Sequence, residues 1–379
     1  MKKWLAALLC ITLFASLCGC NRQPVETVPT ETTVETTAAP TFPVGLCLPN
    51  QTEQRWIAEG NALKTALEAK NCEVKLENAE NNVQLQAEQI EKLLKEKVEC
   101  LIVAAVDSAS LSQSLAQAKT AGIPVIVYDR LLLNTDAVTG YVGFDYKELG
   151  ITVAQEIISA KGLETAKAEK RSYSIEFLMD TYQNHSNVLF FQGLMQELKT
   201  YLDTGVLVCK SGRVNFEDVC VKNADLATAK SLCEEILKEH YKETQPAILV
   251  TGNDILADGW VETLKAQKCP AESWPLIAGQ NATEAEVTRI VAAEQLLTVY
   301  FDRTALAQAC ANAVEAVLAG KPVDTKKVEN GATQVPAKLL QPDLVTAENY
   351  KALLVDTGIM DIEEPAQEET VETQENPDA

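Results

Sequence analysis

Ile123-Pro124-Val125-Ile126-Val127-Tyr128-Asp129-Arg130 is the stretch on which the fold turns. Five of its eight residues are aliphatic or aromatic, and Ala121-Gly122 precedes them. So short and apolar a run reads as a strand buried on both faces, as in a parallel sheet. Polarity then switches within one residue. Asp129 and Arg130 stand at the carboxyl end of the strand, where open α/β sheets place their ligands. An acid beside a guanidinium offers acceptors and donors together, which suits a small, hydroxyl-rich, uncharged molecule. The plainer reading is a solvated pair that caps a strand.

Outward from this stretch, short apolar runs alternate with helical periodicity. Residues 44–48, 73–76, 100–104 and 141–144 read as further strands. Between them lie helices, one opening near Gln54 and one over 83–98, where Ile90, Leu93, Leu94 and Val98 recur at helical spacing. The pattern then begins again. Residues 174–178, 206–209, 247–251, 276–278 and 297–301 read as strands, and the last helix, 304–318, is closed by Gly320 and Pro322. This alternation predicts an α/β protein of two Rossmann-like lobes, each with a parallel sheet, and a cleft between their strand ends.

The amino terminus carries a different message. Lys2 and Lys3 precede an apolar run from Trp4 to Leu17 that is too short to span a bilayer as a mature helix. Leu17-Cys18-Gly19-Cys20 resembles the lipobox of bacterial lipoproteins, in which the last cysteine is lipidated after cleavage. Residues 1–20 are therefore expected to be a lipoprotein signal peptide with Cys20 as the lipidated residue; an ordinary signal peptide with an incidental cysteine is the alternative. Residues 21–42, rich in Thr, Glu and Pro, read as a disordered tether, and 361–379 as an acidic disordered tail. A formal net charge of −21 argues against nucleic acid as a partner. The eight cysteines after Cys20 show no CxxC spacing, and with two histidines in the chain no metal site is expected. Free core thiols are the default reading.

Further stretches carry a resemblance. They include Glu53-Gln54-Arg55-Trp56-Ile57-Ala58, Asn78-Ala79-Glu80-Asn81, Ile102-Val103-Ala104-Ala105-Val106-Asp107 and Val127-Tyr128-Asp129-Arg130-Leu131. Gly252-Asn253-Asp254, Gly279-Gln280-Asn281-Ala282, Ala293-Glu294-Gln295, Thr298-Val299-Tyr300 and Leu354-Val355-Asp356-Thr357-Gly358 follow in order. From Val44 to Gly358 the chain resembles the periplasmic sugar-binding proteins of the ribose/xylose type, above all the xylose and multiple-monosaccharide binding proteins. The resemblance implies the type I periplasmic binding protein fold, with a three-crossover hinge. It implies an amino-terminal lobe of 43–145 plus 302–320 and a carboxy-terminal lobe of 146–301 plus 321–360. Ligand is held between them.

The resemblance also implies the site. Arg55, Asp129 and Arg130 would reach sugar hydroxyls from the first lobe, and Asn187, Asn253, Asp254, Gln280 and Asn281 from the second. Trp56 has two open readings, a platform for the apolar face of a sugar or a core residue. Asn253 could cap a helix and bind ligand at once. Two positions depart from close relatives: Asn281 replaces an aspartate, and Phe301 stands in place of a lysine, which together suggest a neutral wall and altered sugar preference. The implied function is an extracytoplasmic, membrane-anchored solute-binding lipoprotein, expected to be a monomer without cofactor. It would deliver a monosaccharide to the permease and ATPase subunits of an ABC importer. The alternative is a receptor that presents bound sugar to a sensor kinase or chemoreceptor. No GxxxxGK[ST], GxSxG or HExxH motif argues for an enzyme.

Overall fold

The computed structural model describes residues 41–181, 184–221 and 225–362. Cys20, the signal segment, nearly all of the tether and nearly all of the acidic tail lie outside these residues.

Thirteen strands are found among the described residues, in chain order β1 (Phe42–Leu48), β2 (Cys72–Asn78), β3 (Cys100–Val103), β4 (Val125–Tyr128), β5 (Gly140–Phe144), β6 (Tyr173–Leu178), β7 (Leu207–Val208), β8 (Ile248–Thr251), β9 (Leu276–Ala278), β10 (Thr298–Tyr300), β11 (Lys327–Glu329), β12 (Gln334–Leu340) and β13 (Asp343–Val345). They form a seven-stranded sheet in the order β11-β12-β5-β4-β3-β1-β2 and a four-stranded sheet in the order β7-β6-β8-β9. Every pairing in them is parallel except the edge pair β11/β12. Antiparallel β10 and β13 lie beside the second sheet, where Leu297 bridges Ala278. This is the expected α/β class with two mainly parallel sheets.

Strands β3 and β4 are buried at every residue, as their continuous apolar runs require. Successive side chains point to opposite faces. Ile102 and Ile126 pack with Leu63, Leu67, Leu306 and Val314 of the helices Gln54–Glu68 and Arg303–Leu318. Leu101, Val125 and Val127 pack on the other face with Ile90, Leu93 and Leu115 of Val83–Lys95 and Ser112–Thr120. Each such aliphatic side chain contributes about 1.5–3 kcal/mol on burial. In the second lobe, Tyr146–Lys161 crosses His185–Asp203 through a pair of glycines. A Cβ on Gly150 would lie 2.1 Å from the Phe190 carbonyl oxygen, so these two helices approach more closely than any larger residue permits.

The chain passes between the sheets three times: after β5, after β10, and between β12 and β13. One expected boundary is corrected. Residues 321–360 do not all join the second lobe, because β12 pairs in parallel with β5 and completes the first sheet, Ala337 opposite Tyr141. Pro336 and the alternating Lys338 disguise this run, since proline removes a ladder donor and demotes a strand reading. In the fold, Pro336 faces only the short edge strand β11.

Candidate functional site

A cavity of ≈ 580 Å³ opens where the strand ends of the two sheets converge. Its first wall comes from the segments after β1 and β4: Glu53, Arg55 and Arg130. The opposite wall follows β6, β8 and β9: Asp180, Asn184, Asn253, Asp254, Ile255, Asn281 and Thr283. Arg303, just past β10 at a crossing, closes the ring. The volume falls within the roughly 300–1,000 Å³ of small-molecule sites.

The first wall is built on two fully buried carboxylates, Glu59 and Asp129. Arg55 lies between them. Its Nε donates to Glu59 Oε1 at 2.7 Å and its Nη2 to Asp129 Oδ2. Arg303 Nη1 donates to the same Glu59 oxygen at 2.9 Å, and Tyr146 Oη donates to Asp129 Oδ1 at 2.9 Å. Burial pushes the Asp129 carboxyl up, but Arg55, Arg303 and Arg130 outweigh it and hold it below the usual range. For Arg55, burial acts to lower the guanidinium and the facing carboxylates Asp129 and Glu59 overcome it, leaving it well above its ordinary value.

Asp129 is thus placed where sequence analysis put it, but in another role. Both its oxygens are engaged, it is fully buried, and it does not line the cavity. Its φ of 60° is left-handed, a conformation Asp adopts more readily than most residues. Its amide donates to the Val142 carbonyl and its own carbonyl accepts from Tyr141 Oη at 2.8 Å. That turn carries Arg130 into the cavity. Arg130 Nη1 donates to the Ala105 carbonyl at 3.1 Å, and its buried Nε has no partner among the described residues. Burial and the neighbouring Arg55 lower its pKa.

Trp56 is corrected as a stacking platform. It is 1% exposed, it is packed in the core, and it does not line the cavity. The guanidinium carbons of Arg55 and Arg130 lie 4.5 and 5.1 Å from its ring centroid, so the ring supports the two arginines rather than offering a face to ligand.

Across the cavity, Asn253 combines both of its expected roles. Its Oδ1 caps the helix Asp254–Ala266 by accepting from the Leu256 amide at 3.0 Å, and the residue lines the cavity. Asp254 also lines it; its Oδ2 accepts from the Thr283 amide at 3.2 Å, and burial raises its pKa. Asn281 lines it from a positive φ of 108°. Gln280 and Asn187 do not. Gln280 is buried, and Asn187 turns back along its helix to donate to the Thr181 carbonyl at 2.9 Å. Asn184, the cap of that helix, takes the cavity position instead.

The expected neutral wall is not formed. Phe301 packs edge-on to Phe144 with centroids 5.0 Å apart and lies 5.8 Å from Tyr146, away from the cavity. A cation stands two residues further on: Arg303 lines the cavity with its guanidinium carbon 5.2 Å from the Phe301 ring. Glu53, Asp180, Asn184, Ile255, Thr283 and Arg303 are the lining residues that sequence reasoning missed. Phe301-Asp302-Arg303 repeats the strand-end switch of Tyr128-Asp129-Arg130, so the signal for Arg303 was present.

The model of the periplasmic binding protein domain matches residues 44–322. The multiple sugar-binding periplasmic protein of Azospirillum brasilense is 33% identical over 319 residues, spanning 83% of this chain and 88% of the relative. The D-xylose-binding periplasmic protein of Escherichia coli is 27% identical over 317 residues, with 83% and 90% covered. Among solved structures, an ABC transporter solute binding protein from Clostridium phytofermentans with bound β-D-glucose superposes with a TM-score of 0.76. It is 34% identical and covers 84% of this chain and 98% of its own.

Proposed function

This chain belongs to the periplasmic binding protein family, and on that premise we propose that it captures a monosaccharide between its two lobes. The observation that carries the reading is the cavity itself, with guanidinium donors on one wall and amide and carboxylate groups on the other. A neutral polyol presents both donors and acceptors on every hydroxyl and can use both walls at once. Bonds from charged groups are the strong ones, roughly twice neutral bonds, so Arg55, Arg130 and Asp254 supply most of the grip. Asn253 and Asn281 fix orientation. The similar proteins for multiple sugars and D-xylose, and the one with bound β-D-glucose, support the same ligand class.

On this reading the protein binds and releases its ligand unchanged and hands it to the permease of an ABC importer, whose ATPase is a separate chain. We assign 43–145, 302–320 and 327–340 to the first lobe, and 146–301 and 343–360 to the second. The test is a thermal-shift screen of residues 43–360 against pentoses, hexoses and small polyols. A true ligand at a hundredfold excess over its Kd stabilises by about 2.7 kcal/mol, a rise of about 4 °C for a unit of this size. If no monosaccharide raises the melting temperature, the reading is wrong.

The proposal extends to the membrane. Cys20 would carry the lipid, and the Thr-rich segment behind it would let the binding unit stand off the surface. Cys20→Ser is expected to move the protein from the membrane fraction to the soluble one. A mutant that still sediments with membranes in high salt rules out lipidation at Cys20.

A further inference from the structure

Two carboxyls meet at the second-lobe wall of the cavity, each from the start of a helix. Asp254 opens Asp254–Ala266, and Glu286 is the third residue of Glu284–Val291. Thr283 ties them together: its amide donates to Asp254 Oδ2, and its hydroxyl accepts from the Glu286 amide at 3.4 Å. Glu286 is fully buried and Asp254 is 5% exposed, and their side chains are in hydrogen-bonding contact. A Cβ at Gly279 would lie 2.2 Å from Glu286 Oε1, so the glycine is what gives this carboxyl its place.

Glu286 accepts from Gln295 Nε2 at 3.0 Å and from Thr298 Oγ1 at 2.5 Å. Asp254 Oδ1 has no donor among the described residues. The nearby cations are already engaged. Arg289 Nη2 is 2.8 Å from Asp258 Oδ1 and 4.0 Å from Glu286, while Arg55 and Arg303 serve Glu59 and Asp129 across the cavity. Asp258, Asp180 and Glu53 add only negative charge, and among the described residues Arg130 on the far wall is the remaining cation that lines the cavity. The strand and loop behind Glu286 contribute the neutral Thr298 and Gln295. Two ionised carboxyls in contact need a counter-charge between them, and here a proton is what can supply it.

We propose that Asp254 and Glu286 share one proton, carried by Glu286, which thereby acts as a positioning residue holding Asp254 as a fixed acceptor for the ligand. The inference rests on the monosaccharide reading above. Burial, and then the adjoining Asp254, raise Glu286 well above the usual carboxylate range, in keeping with a retained proton. The sign of the linkage follows. The unfolded chain gives up this proton near pH 4.3. The folded protein keeps it to higher pH. Ligand-free stability therefore falls as pH rises from about 4.3 to the folded pKa. Above that value the pair carries two charges, Asp254 is pushed from its place, and affinity drops with a slope approaching tenfold per pH unit for one proton.

The test is calorimetry with D-glucose and D-xylose from about pH 5 to about pH 9, with ligand-free thermal melts over the same range. Wild type should lose affinity toward alkaline pH. Glu286→Ala should bind weakly throughout, and Glu286→Gln, which replaces the neutral acid with a neutral amide, should recover most of that loss and show a flat profile. Ligand-free melting of wild type should fall with pH relative to Glu286→Gln. If Glu286→Ala does not fold, wild type and the glutamine variant decide the matter. Parallel profiles for these two in both series overturn the shared proton. If neither sugar binds at any pH, the positioning role falls with the monosaccharide reading, and the ligand-free melts alone judge the proton.

Discussion

Arg55→Ala is expected to unfold at a much lower urea concentration than wild type, with a loss of about 3–5 kcal/mol, the usual result of removing one partner from a buried ion pair. The reason lies under the side chain. Glu59 and Asp129 are both fully buried, and Arg55 is the group that bonds to each of them. After its removal Asp129 keeps the Tyr146 hydroxyl and Glu59 keeps Arg303, but no guanidinium bridges the two acids any longer. Neutralising the stranded acid should restore part of the loss: Arg55→Ala with Asp129→Asn is expected to be more stable than Arg55→Ala alone, a non-additivity typical of residues in one network. An Arg55→Ala variant with the wild-type urea midpoint would refute the idea that this arginine neutralises the buried acids.

Arg130→Ala is expected to behave in the opposite way, folding normally while losing ligand. Arg130 bonds to a backbone carbonyl, makes no hydrogen bond to a carboxylate among the described residues, and presents a buried Nε without a partner. Truncation therefore strands no charge. Losing a charged donor to a ligand hydroxyl costs about 1.5–3 kcal/mol, tenfold or more in affinity. Calorimetry beside a denaturation curve separates the two arginines. Should Arg130→Ala bind a sugar as tightly as wild type, its assignment to the ligand is wrong.

The contrast marks how far the sequence could be read. Strand ends were legible because a buried strand announces itself by an apolar run and its end by an abrupt polar pair, as at Tyr128-Asp129-Arg130. What the run cannot convey is which member of the pair faces the ligand. That depends on the left-handed turn at Asp129 and on Tyr146 and Arg55, which reach it from other elements. Trp56 was left between two readings, and Phe301 was placed at the cleft, for a related reason. An aromatic side chain next to a polar cluster packs equally well against a ligand or against guanidinium groups, and only the folded neighbours decide. Asn187 and Asn184 differ by less than a helical turn, a distance at which a sequence match does not choose the side chain that turns inward. The three strands after Lys321 escaped because Pro336 and the charged alternation around it hide a pairing with a distant partner.

That pairing bears on how the protein is made. The first sheet has β12 beside β5, and most of the second lobe, residues 146–301, is synthesised between them. A growing chain thus lacks an essential piece of its first hydrophobic layer until residues 334–340 have left the ribosome. Contacts so far apart in sequence form slowly, since loop closure must be met before they are made. For most of its synthesis the polypeptide cannot complete its first sheet.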